Sequence, residues 1–325
     1  METGLIMSVV LISGASGFVG RHLAAWLAGQ GHQVWALDRL AQPLTAVLTA
    51  AYTWDDLSAI EWPAVSAVIH LAGKAHDTRH TTDPQTYFDV NLGLTQRLYE
   101  SFRASPARIF MQFSSVKAVA DRVPVGTELS EEATPQPRTP YGQSKLAAER
   151  YLQGEPLAEN RRLYILRPCM IHGPGNKGNL NLLYAFARRG LPYPLAAFDN
   201  RRSFTGIENL CQAVAGLLRV APASGIYQLA DDEPLATTTL MALMAESLGR
   251  RPRSWRLAPG LVRWCARMGD YTHLPLNTER LEKLTESYVV SNYKIKQALG
   301  LTHFPVTAAD GVRRTLAAFR AGEGK

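Results

Sequence analysis

The stretch SVVLISGASGFVGRHLAAWLAGQG, residues 8 to 31, leaves little freedom to the chain around it. Val9 to Ile12 read as a buried strand, the residues from Phe18 onward repeat apolar side chains at helical spacing, and Gly14, Gly17 and Gly20 fill the turn between them. Each glycine suits a strand-to-helix turn that cradles a dinucleotide: a tight turn at Gly14, close backbone approach to a pyrophosphate at Gly17, close helix packing at Gly20. The helix N-terminus offers amide donors and the positive end of its dipole to phosphates. The next apolar run, QVWAL, ends at Asp38, 18 residues beyond Gly20, where a carboxylate can accept both ribose hydroxyls of an adenosine. That favours NAD. Arg39 alongside leaves NADP open, since an arginine accommodates a 2′-phosphate.

Further apolar runs at 67 to 72, 108 to 113 and 163 to 167 alternate with longer helical patterns, including Pro84 to Ser105 with Tyr87, Val90, Leu94, Leu98 and Phe102 in step. Such alternation predicts an α/β fold, a doubly wound parallel sheet of Rossmann type buried on both faces. After Arg167 the pattern turns irregular and rich in Pro and Gly, and helical stretches near 181 to 189, 238 to 248, 261 to 268 and 308 to 321 follow. We read residues 1–170 as a dinucleotide-binding domain and 171–325 as a smaller mixed α/β substrate domain, with parts of 200–232 returning to the large sheet. Met1 to Ile6 reads as an upstream extension, because Met7 immediately precedes the first strand.

Composition narrows the function. Leu5 to Ile12 is too short to cross a bilayer, and the three cysteines stand in apolar contexts without metal-like spacing. A cytoplasmic protein without metal or membrane partner is expected. The net charge of +7 comes from scattered Lys and Arg, which points to anionic small molecules rather than nucleic acid.

In TPYGQSKLAAER, Tyr141 and Lys145 lie one helical turn apart and project side by side. Upstream, RIFMQF runs into Ser114 and Ser115 at the carboxyl end of a strand, where open α/β sheets bind ligands. Oxidising a secondary alcohol needs a base for the hydroxyl proton while hydride leaves carbon, and a free tyrosine, with pKa about 10, is too weakly ionised. A lysine ammonium one turn away and a positive nicotinamide ring are expected to lower that value.

Taken together, the glycine turn, the VIHLAG strand, the paired serines and YxxxK resemble the extended short-chain dehydrogenase/reductase family, from residue 8 to about residue 320. The resemblance implies catalytic roles for Ser115, Tyr141 and Lys145, with Lys145 also holding the nicotinamide ribose. It implies cofactor contacts from Gly14, Ser16, Gly17, Phe18, Val19 and Gly20, from Asp38 and Arg39, and from Asp56 and Leu57 against the adenine. Leu71, Ala72 and Gly73 would lie beneath the cofactor, with Pro168 beside Tyr141 and Lys145. Substrate contacts are implied for Ser115 and Lys117, for Asn179 near a diphosphate and for Arg202 gripping it, an arginine fork matching phosphate oxygens.

Within that family, dehydratases carry Asp and Glu after the catalytic hydroxyl residue, whereas this chain has Val116 and Lys117. The second half is similar to nucleotide-sugar 4-epimerases and 4-keto-sugar reductases, and most to bacterial members acting on UDP-N-acetylhexosamines for surface polysaccharide. Ala118 to Ala120 and Asn209 depart from the usual motifs close to the substrate. Three readings follow: an NAD-dependent UDP-sugar 4-epimerase, an NAD(P)H-dependent 4-keto reductase, and a non-catalytic cofactor-binding protein, the last opposed by the intact Tyr141 and Lys145. The resemblance also implies a possible homodimer through helices 84 to 105 and 141 to 153. His76, Lys74 and His172 are expected in loops beside a sugar, His172 as a structural substitution for the tyrosine of the family's usual YGPG, and His70 in a strand end.

Overall fold

The computed structural model of the chain describes residues 8–75, 83–176, 179–272 and 277–322. Its strands are β1 (Val9–Ser13), β2 (Gln33–Asp38), β3 (Leu48–Thr53), β4 (Val65–His70), β5 (Ile109–Phe113), β6 (Arg162–Pro168), β7 (Met170–His172), β8 (Phe204–Gly206) and β9 (Gly225–Leu229). Seven of them form one parallel sheet in the order β3-β2-β1-β4-β5-β6-β9, and β7 and β8 pair separately. The order reverses between β1 and β4, so the carboxyl ends of those strands open a crevice.

Side-chain alternation explains why both faces are covered. Val10 and Ile12 point toward α1 (Phe18–Gly29), while Leu11 between them joins Trp35, Val68 and Phe110 on the opposite face. Two further α-helices, α2 (Pro84–Phe88) and α3 (Leu94–Ala104), precede α4 (Pro140–Gly154), and Leu98, Phe102 and Leu152 of α3 and α4 cover that second face.

A second core lies beyond the sheet. It joins α5 (Asn179–Arg188), α7 (Thr237–Ser247), α8 (Pro259–Thr272), α9 (Thr278–Thr285) and α11 (Ala308–Gly322) through Tyr184, Met244, Val262, Leu281 and Leu316. Helix α6 (Ile207–Val220), although between these in sequence, packs Leu210, Val214 and Leu217 on the face shared with α1, and β9 extends the large sheet beside β6. Helix α10 (Tyr293–Leu299) adds Ile295 to that layer.

Two local expectations change. The pattern at 84 to 105 is not one α-helix: a π turn, Asp89–Gly93, joins α2 to α3 and turns Asn91 inward. Strand β3, LTAAYT, had no apolar run to reveal it because it is the half-exposed edge of the sheet. The N-terminal extension through Met7 and His76 lie outside the described residues, as does the side chain of Asn179, whose backbone opens α5.

Candidate active site

The glycine turn is built so that side chains are excluded. Gly14 has φ +76°, and a methyl group on it would come within 2.8 Å of the Ala72 nitrogen; one on Gly20 would collide with the Gly14 carbonyl oxygen. Gly17 is the N-cap of α1, with no capping side chain and no acidic residue in the first turn. The amides of that helix end are therefore available to an anion, and the bare backbone at Gly17 lets a diphosphate come close. Phe18 and Val19, half-buried, pack on the sheet core.

Asp38 closes the adenosine end. Its buried carboxylate accepts from the Ser16 backbone at 3.0 Å and from the Ser16 hydroxyl at 3.1 Å, so it holds the loop that would wrap the phosphates. Burial pushes its pKa up and the two Ser16 bonds oppose the rise. Arg39 is exposed beside it. Asp56 has a local task, accepting from the Thr53 backbone at 3.2 Å and its hydroxyl at 2.5 Å, while Leu57 packs under the turn against the core.

At the other end of the crevice, Leu71 to Gly73 leave β4 bonded back to Ser13: Leu71 donates to its carbonyl at 3.0 Å and Ala72 to its hydroxyl at 3.3 Å. A methyl group on Gly73 would lie 3.0 Å from Lys145 Nζ and 2.8 Å from Asn91 Oδ1. The turn and α4 thus meet at the one residue type that admits both. Lys145 is buried and donates to the Phe113 carbonyl at 2.9 Å. Burial brings its pKa down to about 8, against the pull of Glu149 one turn further along α4.

Thr139 caps α4 by accepting from the Gly142 amide at 3.2 Å, and Pro140 fills the first helical position. This start fixes Tyr141 beside Ser115, whose side chain favours the ionised phenol. Ser115 also accepts from the Lys117 amide at 3.2 Å, and its neighbour Ser114 points the other way, donating to Glu149. The expectation that Lys145 lowers the Tyr141 pKa is corrected: burial dominates and pushes the phenol up, with Ser115 opposing.

Several residues here escaped the sequence reading as site residues. Asn91, carried inward by the π turn, accepts from the Lys74 amide at 2.8 Å, donates to the Lys74 carbonyl at 3.1 Å and to Ser144 at 2.9 Å, tying α2 and α3 to α4. Tyr87 stacks edge-on to Tyr141 with ring centroids 6.4 Å apart, and Lys74 Nζ sits 5.6 Å from the Tyr87 centroid. Glu149 forms a two-pronged pair with Arg167 of β6, Nε donating at 2.9 Å and Nη2 at 2.5 Å. His70 is buried against Ser13 at 2.5 Å, and burial, then the nearby Lys145 charge, bring its pKa down to about 3. His172 is not in a loop: it lies fully buried in β7, bonded to Thr315 at 2.9 Å.

The substrate side of the crevice is made by segments far apart in sequence. Lys117 Nζ donates to the Asp121 carbonyl at 2.7 Å and lies 4.3 Å from the centroid of the Tyr288 ring. Arg202 is bridged to both Leu235 and Tyr288, and its Nε donates to the Glu286 carbonyl at 3.0 Å. Burial lowers the pKa of both cations; they repel each other, and Glu286 favours the charge on each. Pro168, at the buried end of β6, pairs with Leu229.

Residues 10–230 match the NAD dependent epimerase/dehydratase family. The chain belongs to that family. Among similar proteins of this class is a GDP-6-deoxy-D-mannose reductase of Pseudomonas aeruginosa, 30% identical over 73% of this chain and 79% of the relative. An N-acetyl-alpha-D-glucosaminyl-diphospho-ditrans,octacis-undecaprenol 4-epimerase of Escherichia coli O157:H7 is 26% identical over 94% of both chains. The crystal structure of a Thermus thermophilus UDP-glucose 4-epimerase in complex with NAD superposes with a TM-score of 0.72 at 25% identity, covering 96% of this chain and 99% of that one. For an epimerase/dehydratase-family protein the arrangement is coherent: uncapped α1, the bare turn and buried Asp38 fit an NAD-type dinucleotide, and Tyr141 with Ser115 stands at the crevice edge.

Proposed function

We propose that the chain is an NAD-dependent 4-epimerase acting on a hexose or N-acetylhexosamine carried on a diphosphate, with UDP as the carrier, through a transient 4-keto sugar. The observation that carries this reading is Tyr141 set beside Ser115 at the start of α4, with Lys145 one turn on packed against the Gly73 turn. When bound, NAD supplies the hydride acceptor and donor. Tyr141 takes the C4 hydroxyl proton as the sugar is oxidised and gives a proton back to the ketone oxygen when hydride returns to the other face. Ser115 orients that oxygen, and Lys145 contributes positive charge beside the tyrosine and a donor to the nicotinamide ribose. Gly14 to Gly20 and Asp38 hold the dinucleotide, with Arg39, Asp56, Leu57, Leu71, Ala72 and Pro168 around it. The diphosphate is assigned to Arg202, Lys117 and Asn179, the first two being mutually repelling, half-buried cations that gain most from a dianion.

Residues 171–325 carry most of the sugar end in this reading, and the setting is cytoplasmic synthesis of a surface-polysaccharide precursor, in a possible homodimer through α2, α3 and α4. A 4-keto reductase is the second reading, favoured by a tyrosine whose own surroundings keep it protonated and therefore an acid. Denaturing the purified protein and identifying the released dinucleotide separates them. Stoichiometric NAD with interconversion of UDP-N-acetylglucosamine and UDP-N-acetylgalactosamine supports the epimerase. An empty site that takes NADPH and reduces a UDP-4-keto-6-deoxyhexosamine once per cofactor would overturn it.

A further inference from the structure

Helix α8 is oriented against the usual rule for a soluble helix. Its inward face carries Val262, Ala266 and Gly269, all small or medium, whereas the bulky apolar side chains point to solvent. Leu261 is 54% exposed, Trp264 60%, Met268 44% and Tyr271 84%. At 3.6 residues per turn these four share an arc of about 80°. Trp255 and Leu257, just ahead of the helix, are exposed as well, so six of the thirteen large apolar side chains exposed among the described residues fall within this one segment. A ridge of this kind marks a contact surface rather than chance exposure.

The charges beside it say what it contacts. Arg250, Arg251, Arg253, Arg256, Arg263 and Arg267 accompany the ridge, and no Asp or Glu occurs from 247 to 269. Arg263 lies along the flank of the helix with its guanidinium 5.9 Å from the Phe198 ring centroid. The first three arginines, with Arg189, rim a cavity of about 570 Å³ floored by Tyr193 and Met241, alongside the strand-like segment whose Ser254 pairs with Tyr193. A second copy of this chain is a poor occupant. A two-fold interface would set the arginine flank against itself with a single carboxylate, Asp270, on the helix, and that one already accepts from the Thr278 amide and hydroxyl.

We propose that α8 and the segment before it form a membrane-surface docking site for an anionic phospholipid bilayer. Trp264, Leu261, Met268 and Tyr271 enter the headgroup and acyl boundary, and the arginines stay at phosphate level. The expectation of no membrane partner concerns a span, and no described helix is long and apolar enough to be one; an in-plane helix does not need that length.

The full chain tests this by co-sedimentation with phosphatidylcholine/phosphatidylglycerol vesicles against phosphatidylcholine alone. Binding should favour the anionic vesicles, weaken with salt, and fall at least about tenfold in the Trp264→Glu/Met268→Glu variant with NAD binding kept. An environment-sensitive fluorophore on Cys265, the exposed cysteine on this face while Cys169 and Cys211 are buried, gives a readout in the unaltered sequence. Its emission should shift to the blue with anionic vesicles. No sedimentation and no shift would overturn the proposal. So would a protein-only dimer that Trp264→Glu dissociates while vesicles leave the label unchanged, which would make this face an interface between copies.

Discussion

Tyr141 and Lys145 stand one turn apart on α4, and burial moves them in opposite directions, the phenol up and the ammonium down to about 8. Tyr141→Phe should keep the dinucleotide and cost roughly 10²–10⁴ in kcat, measured as sugar interconversion; unchanged turnover would remove Tyr141 from the proposed role. The lysine charge is present below its pKa and lost above it, so kcat should decline as pH rises through about 8. Glu149 supports that charge, hence Glu149→Gln should move the alkaline limb to lower pH. The same change leaves Arg167 buried without its carboxylate, which should cost about 3 kcal/mol or more in unfolding free energy. Tyr141 and Lys145 were legible in the sequence because helical spacing is local. The Glu149 and Arg167 pair was not, since it joins a helix to a strand across a turn whose path no spacing fixes.

Among the elements, α1 lets binding be separated from folding. Gly17→Asp would place a favourable N-cap on α1, at a residue whose φ of −68° suits any side chain and whose added Cβ would lie 3.1 Å from the Gly14 carbonyl oxygen, a contact met by a shift of a few tenths of an ångström. Melting temperature should hold or rise while NAD affinity falls at least about tenfold, because the new carboxylate occupies the anion's place. A matching loss of stability would show instead that Gly17 is needed only for packing. The strand-turn-helix unit could be read in advance because glycine, apolar run and apolar period agree there. The π turn could not: Asp89–Gly93 keeps the apolar rhythm of a plain helix in DVNLG and reveals itself only through the inward bonds of Asn91.

For the molecule as a whole, the two ends of the crevice depend on different lengths of chain. Arg202→Ala should raise KM for the UDP-sugar by roughly 10–100-fold with NAD affinity unchanged, and an equal loss in both would contradict the assignment. Parallel strands and a glycine turn predicted the sheet, but nothing in the sequence showed that Arg202 would bridge Leu235 and Tyr288 together, because those partners meet only through the packing of the second core. The residues that fit the dinucleotide lie between 14 and 168, whereas Tyr288 joins Lys117 from 171 positions later. Synthesis runs from the N-terminus, and domains form as they emerge. On the ribosome, then, every residue of the nucleotide cradle is made before Arg202 and Tyr288, yet the cradle gains its full support only when α6 and β9, which share its core, have followed.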